Sequence, residues 1–295
     1  MRRSRSRPLP RIRFAAILAL LSVAAVAVFL VACPPSRETP PAIPAPVKPT
    51  GALRPLASEL PPERPRQERG IIALVIDDAG YNLEELQAFL DLPVPLTVAV
   101  LPNLPHSTEA ARRVLAAGKD LILHCPMEPG GGEDPGPGAI FTGQSAEEIR
   151  RLLDADFASV PGALGMNNHM GSKATADEAV MTVVLGYLKS RGKFFLDSRT
   201  TADTAGPRIA EALGLSVIQR DVFIDNEADE DAIAEFFDKA VEEAGAGGTS
   251  VAIGHVQNRG VVDILRAAQT TLSAKGVRMA RLAEVMAARG RKQAR

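Results

Sequence analysis

Tryptophan is absent from this 295-residue chain, tyrosine occurs only at Tyr81 and Tyr187, and cysteine only at Cys33 and Cys125. So few aromatics leave little for the stacking platforms on which single-strand nucleic-acid binders and long-glycan grooves depend. Two cysteines in such different surroundings exclude a disulfide framework or a thiolate zinc cluster. Basic charge is thin once the N-terminus is set aside. Residues 1–13 hold six arginines and no acid, so a chain of net charge −1 carries −7 over the remainder. An acidic body argues against nucleic acid as a partner, because that binding needs clustered cations to displace counterions.

What is present divides along the chain. Behind the basic segment, Phe14 to Ala32 is nineteen residues without a charge, the pattern of an n-region followed by a membrane-inserting core. That length can span a bilayer as a helix, with the arginines staying cytoplasmic and the rest exported. Leu30-Val31-Ala32-Cys33 also resembles a bacterial lipobox, which makes Cys33 a lipidation candidate. The sequence leaves open a lipid chain or an uncleaved helix as the anchor, and both tether the chain to the membrane of the cell envelope or periplasm. Pro34 to Pro65 contains eleven of the 23 prolines, so residues 34–70 read as a semi-rigid linker. Residues 289–295 read as a basic tail.

From Ile71 onward, apolar runs alternate with helical patterns. Ile71–Asp78, Leu96–Leu101, Leu121–His124, Ala163–Met166, Phe194–Leu196, Ser216–Ile224 and Ser250–Ile253 read as strands, and near-continuous apolar runs of this kind suit parallel strands buried on both faces. Between them, Leu83–Leu90, Thr108–Ala117, Arg208–Leu213, Asp231–Glu243 and Val261–Ala274 read as helices. Ser145-Ala-Glu-Glu148 and Thr175-Ala-Asp-Glu178 fit capping boxes opening two more,. Seven or eight strand-helix units over residues 71–288 imply one α/β domain, as a closed or distorted barrel or an open sheet.

In a parallel sheet all strand C-termini lie on one face. Asp77 and Asp78, His124 and Glu128, Asn167, Asn168 and His169, Asp197, and His255 all fall at predicted strand ends, so they would converge. Adjacent carboxylates with imidazoles suit a divalent transition metal with an open position, one aspartate ligating while its neighbour accepts a proton. The competing reading of Asp77-Asp78 is a loop start with one acid capping a helix. His255 could donate a proton to a leaving group; alternatively it is a hinge histidine beside Gly254. His106, between Pro105 and Ser107, reads as loop decoration, and Cys125 as a small core residue.

In order, Ile76-Asp-Asp-Ala-Gly80, Leu123-His-Cys-Pro-Met-Glu-Pro129, Asn167-Asn-His-Met-Gly-Ser172, Phe195-Leu-Asp-Ser-Arg199 and Ile253-Gly-His-Val256 closely resemble the divergent polysaccharide deacetylases. The resemblance covers nearly all of residues 71–288. It implies a distorted (β/α) barrel, a divalent metal with zinc as the first expectation, and an acetylated envelope glycan as substrate. Matched position by position, Asp77 looks like the base, Asp78 and His124 like ligands, and His255 like the acid. Glu128 stands where the family's second histidine would be, so the third ligand is His169 or Glu128. On this reading Asn168 or a backbone amide holds the oxyanion and Asp197 orients a histidine. Competing functions are a non-catalytic envelope protein binding glycan or a partner in the same pocket, and a metal hydrolase of another bond.

Overall fold

The computed structural model describes residues 68–215 and 217–293. The basic n-region, the apolar segment with Cys33 and nearly all of the proline-rich linker lie outside the described residues. Among the described residues no helix is long and apolar enough to cross a membrane.

The first half of the domain runs β1 (Gly70–Ala79), α1 (Leu83–Leu90), β2 (Thr97–Val100), α2 (Ser107–Ala116), β3 (Asp120–Met127), α3 (Ala146–Ser159), β4 (Gly165–Met170) and α4 (Glu178–Ser190). The second half runs β5 (Phe194–Asp197), α5 (Gly206–Ala212), β6 (Val217–Gln219), β7 (Val222–Phe223), α6 (Glu230–Gly247), β8 (Thr249–His255), α7 (Arg259–Lys275), β9 (Val277–Met279) and α8 (Leu282–Gln293).

Every strand pairing is parallel, in the order β6-β5-β4-β3-β2-β1-β8-β7. β9 pairs with the start of β1 and β2 with its end. The eight-strand sheet curls into a half-barrel wrapped by helices, a distorted (β/α) barrel. The segment read from sequence as one strand, Ser216–Ile224, is two: β6 lies on β5 and β7 on β8. The chain itself crosses the seam between them, where Arg220 N–H donates to Asp197 O and Asp221 N–H to Val251 O.

Alternate residues of each strand separate two apolar layers, as a period of two requires. Ile72, Leu74 and Ile76 face the helices with Leu121, Leu123 and Cys125. Ile71, Ala73 and Val75 join Ala99, Ile122, Leu196, Val251 and Ile253 inside the barrel, where α8 adds Leu282 and Val285. Burial on both faces explains why the strands read as unbroken apolar runs.

The caps follow local chemistry. Ser145 accepts from Glu148 N–H while the Glu148 carboxylate accepts from Ser145 N–H, the predicted capping box of α3,. The second box is not formed. Thr175 Oγ1 donates to Gly171 O within a 3-10 turn, and Asp177 caps α4 by accepting from Val180 N–H.

Candidate metal centre and its surroundings

Strand register sets the level of each polar side chain. Asp77 is opposite His255 in the β1–β8 pair, and His124 opposite Asn167 in the β3–β4 pair. Asp77, His124 and His255 each lie two residues beyond an interior apolar residue, Val75, Ile122 and Ile253, so their side chains continue the barrel interior at its C-terminal mouth. Asp78 would by alternation face outward. Its φ of 65°, in the left-handed region that aspartate tolerates better than most residues, breaks the alternation, and the β1–β2 register shifts between Ile76 and Ala79. Two consecutive carboxylates thereby reach one site. Asp77 Oδ2 lies 3.7 Å and Asp78 Oδ1 3.1 Å from His124 Nε2.

The third member is His169. Its Nδ1 is 3.0 Å from Asp78 Oδ1 and 3.1 Å from His124 Nε2. Asp78, His124 and His169 thus form a possible metal-binding group. The hydrogen bonding around it tests the fit. Asn167 Nδ2 donates to both Asp77 oxygens, at 2.9 and 3.1 Å, which only the amide nitrogen can do. Asn167 Oδ1 therefore faces His124 Nδ1 at 2.8 Å and must accept from it. That places the proton of neutral His124 on Nδ1 and turns the Nε2 lone pair toward Asp78 and His169. Asp78 Oδ1 is buried and accepts no hydrogen bond, although two imidazole nitrogens stand beside it. A tetrahedral ion with bonds of ~2.0–2.1 Å would hold its ligand atoms about 3.3 Å apart. An orphaned oxygen among lone-pair donors at nearly that spacing fits a cation.

The electrostatics agree with crowded opposite charges. Burial pushes the Asp77 carboxyl up, against the pull of His124, His255 and Asn167,. Burial acts the same way on Asp78, but His124 and His169 outweigh it and hold that carboxyl well below its usual range. His124 is disfavoured as a cation by burial, yet Asp77 and Asp78 carry it above its ordinary value.

His255 stands across the mouth. Its Nδ1 is 2.9 Å from Asp225 Oδ1, its backbone N–H donates to Asp225 Oδ2, and its ring stacks on Phe223. Burial lowers its pKa, but the Asp225 bond and charge, with Asp77 and Asp78 behind them, push it up to about 9.

Three sequence expectations are corrected here. Glu128 is not in the metal group: its oxygens accept from Lys173 Nζ, Thr142 N–H and Thr142 Oγ1. Asp197 orients no histidine. It accepts from Arg199 N–H and Thr204 Oγ1, because it follows interior Leu196 and so faces outward. Asn168 likewise alternates away from Asn167, and its amide is spent on Ser198 N–H, Met170 O and Thr200 Oγ1 rather than on an oxyanion site. His106 is exposed at the start of α2 and makes no side-chain cap.

The sequence reading missed Asp225, Gln257 and Arg220. Asp225 follows an apolar run and satisfies the same strand-end rule that found the others. Gln257 Nε2 donates to Asp78 Oδ2 at 3.3 Å. Arg220 donates to Ser198 O and Arg199 O and lies over the Phe223 ring, 3.8 Å from its centroid; nothing local in the sequence marks it.

Comparison with known proteins bears on the fold and the family of this chain. An uncharacterized protein from Agrobacterium tumefaciens C58, at 22% identity and a TM-score of 0.69, covers 72% of this chain and 88% of its own. A putative cellobiose-phosphate cleavage protein from Enterococcus faecalis V583, at 15% identity and a TM-score of 0.51, covers 72% and 97%; these two likenesses concern the fold. Uncharacterized protein YibQ of Escherichia coli (strain K12) is 37% identical over 186 residues, 63% of this chain and 58% of that protein. An uncharacterized protein of Haemophilus influenzae is 34% identical over 184 residues, 62% and 66% respectively, so the chain spans about three-fifths of the length of these curated relatives. A family model described as divergent polysaccharide deacetylase matches residues 74–286. That stretch holds both aspartates, all three site histidines and Asp225, and the chain belongs to the divergent polysaccharide deacetylase family.

Proposed function

We propose that this chain is a metal-dependent hydrolase that removes acetyl groups from an envelope polysaccharide or amino sugar, exported and tethered to the membrane through its N-terminus. The observation that carries the reading is one mouth holding a possible metal-binding group, a buried carboxylate beside it that is not part of that group and a carboxylate-held imidazole opposite. A binding module has little use for the last two. Support for export comes from the arginine-rich start, the uncharged run and the proline-rich linker, with Cys33 as the lipidation candidate.

Asp78, His124 and His169 would hold the ion, and their mixed oxygen and nitrogen donors favour zinc. Bound there, the metal would supply Lewis-acid polarisation of the acyl carbonyl and acidify water. Asp77 then serves as general base, taking the proton of the attacking water. Asn167 fixes the Asp77 carboxylate with its nitrogen and the His124 ring with its oxygen, so one amide orients both base and ligand,. His255, with Nδ1 held by Asp225, keeps Nε2 for the departing nitrogen or oxygen and donates its proton there.

Metal analysis and acetate release from N- and O-acetylated glycans, comparing the full chain with Asp77→Asn, tests the proposal. One metal in both proteins with acetate released only by the unmodified chain is expected. Folded protein that takes up no divalent metal would overturn the mechanism, and metal without acetate release would favour a binding role or another scissile bond.

A further inference from the structure

Four large apolar side chains among the described residues stand exposed: Tyr81, Leu115, Phe141 and Leu164. Leu115 lies in the last turn of α2 and Leu164 immediately precedes β4, so both belong to the end of the sheet remote from the site. Tyr81 and Phe141 belong to the mouth. Tyr81, 59% exposed, comes three positions after Asp78. Phe141, 38% exposed, is attached beyond His124, because its neighbour Ile140 pairs with Met127 at the end of β3. β2, between β1 and β3, ends at Val100, so the loops that carry Tyr81 and Phe141 follow the strands on either side of a short one.

Both rings stand on fixed backbone. Ile140 N–H donates to Pro126 O, Ile140 O accepts from Glu128 N–H, and Phe141 N–H donates to Gln144 Oε1. Thr142 is held twice by the Glu128 carboxylate, itself paired with Lys173. Tyr81 sits between Gly80, at φ 127° with Leu101 O and Ser107 Oγ close to where a side chain would begin, and Asn82, which caps α1. A side chain exposed on a mobile loop can be incidental. An exposed aromatic side chain on a braced backbone at the mouth of a reactive site suits a ligand with a flat apolar face and a polar edge.

We propose that Tyr81 and Phe141 are the saccharide-holding rim of the site, stacking on pyranose rings either side of the acylated sugar. This rests on the reading of the site as one that acts on acetylated glycans and adds a size to it. With two rings and no further exposed tyrosine or phenylalanine of this kind among the described residues, the site grips a short run of sugars rather than a long chain. Glu128, which lies outside the metal group, holds the backbone next to Phe141 through Thr142.

The composition offers a direct reporter. With no tryptophan and Tyr187 the other tyrosine, the full-length Tyr187→Phe protein emits from Tyr81 alone. Titration with tri-N-acetylchitotriose, acetylated xylotriose and the monosaccharide N-acetylglucosamine should change that emission saturably, with a trisaccharide binding tighter than the monosaccharide. Tyr81→Ala and Phe141→Ala, read by calorimetry, should each weaken trisaccharide binding roughly three- to tenfold, the scale of one aromatic contact, and erase the advantage over the monosaccharide. Their metal content and melting temperature should stay unchanged, which separates lost stacking from lost folding. Equal trisaccharide affinity in all variants would overturn the rim and leave the proposed activity standing; no saccharide binding by the unmodified chain would overturn both.

Discussion

Asp156 lies on α3 and is fully buried. Its Oδ1 accepts from Asn103 Nδ2 at 2.7 Å, while its Oδ2 has no hydrogen-bond partner. Burial drives its carboxyl up to about 7 from 3.8, with the Asn103 bond opposing, and the Cys125 thiol is raised by burial and by the Asp156 charge. A carboxyl harder to ionise in the fold than in the unfolded chain costs stability once both would be charged. Below about 3.8 the group is protonated in both states and costs nothing. Between there and about 7 the folded protein binds the extra proton, so stability falls as pH rises, and above about 7 the loss is constant at roughly 4 kcal/mol. Asp156→Asn keeps an oxygen for Asn103 and cannot ionise. It should therefore raise the urea midpoint at pH 8 by the equivalent of roughly 2–4 kcal/mol, with a melting temperature several degrees higher, and change little at pH 4. A shift of the same size at both pH values, or destabilisation at pH 8, would refute the assignment of the cost to the buried charge.

Gly138 presses on the same carboxyl. A Cβ there would meet Asp156 Oδ1 at 2.3 Å and Asn103 Nδ2 at 2.7 Å, and the backbone has φ 85°, so Gly138→Ala should cost more than ~2 kcal/mol in urea denaturation. At the site, Asn167→Ala removes the bond that fixes His124 and should weaken divalent-metal affinity roughly 10–100-fold in competition with a chelator, while Asp78→Ala should abolish binding. Asp225→Asn should bring the His255 titration, followed by its imidazole proton resonances, down from about 9 toward 6.5. A raised imidazole stabilises the fold below about 6.5, and that contribution fades as pH rises through about 9, so the variant should also lose its stability advantage at a lower pH.

The site was legible to the extent that a strand end is legible. Apolar runs buried on both faces stop where the barrel opens, so Asp77, His124, His169 and His255 could be placed on one mouth without any structure. What the strand-end rule lacks is parity. Interior residues Val75, Ile122, Leu196 and Ile253 set which positions continue inward: Asp77, His124 and His255 share that parity, whereas Asp197 does not. Met166 faces the helices, so Asn167 and His169 turn inward and Asn168 outward. Applied one step further, parity recovers Asp225, two residues beyond Phe223, whose side chain packs against the interior cluster. Two things escape even this refinement. The left-handed turn at Asp78 brings an off-parity carboxylate into the group, and no periodicity encodes a break in periodicity. The division of β6 from β7, and the continuation of β3 through Pro126 to Met127, depend on which strand lies alongside. β2 pairs with β3 only as far as Leu123, leaving one edge of β3 beyond that point without a strand, where a residue that cannot donate a hydrogen bond is tolerated. Local sequence therefore specifies which residues reach the mouth, and long-range pairing decides how the mouth is closed around them.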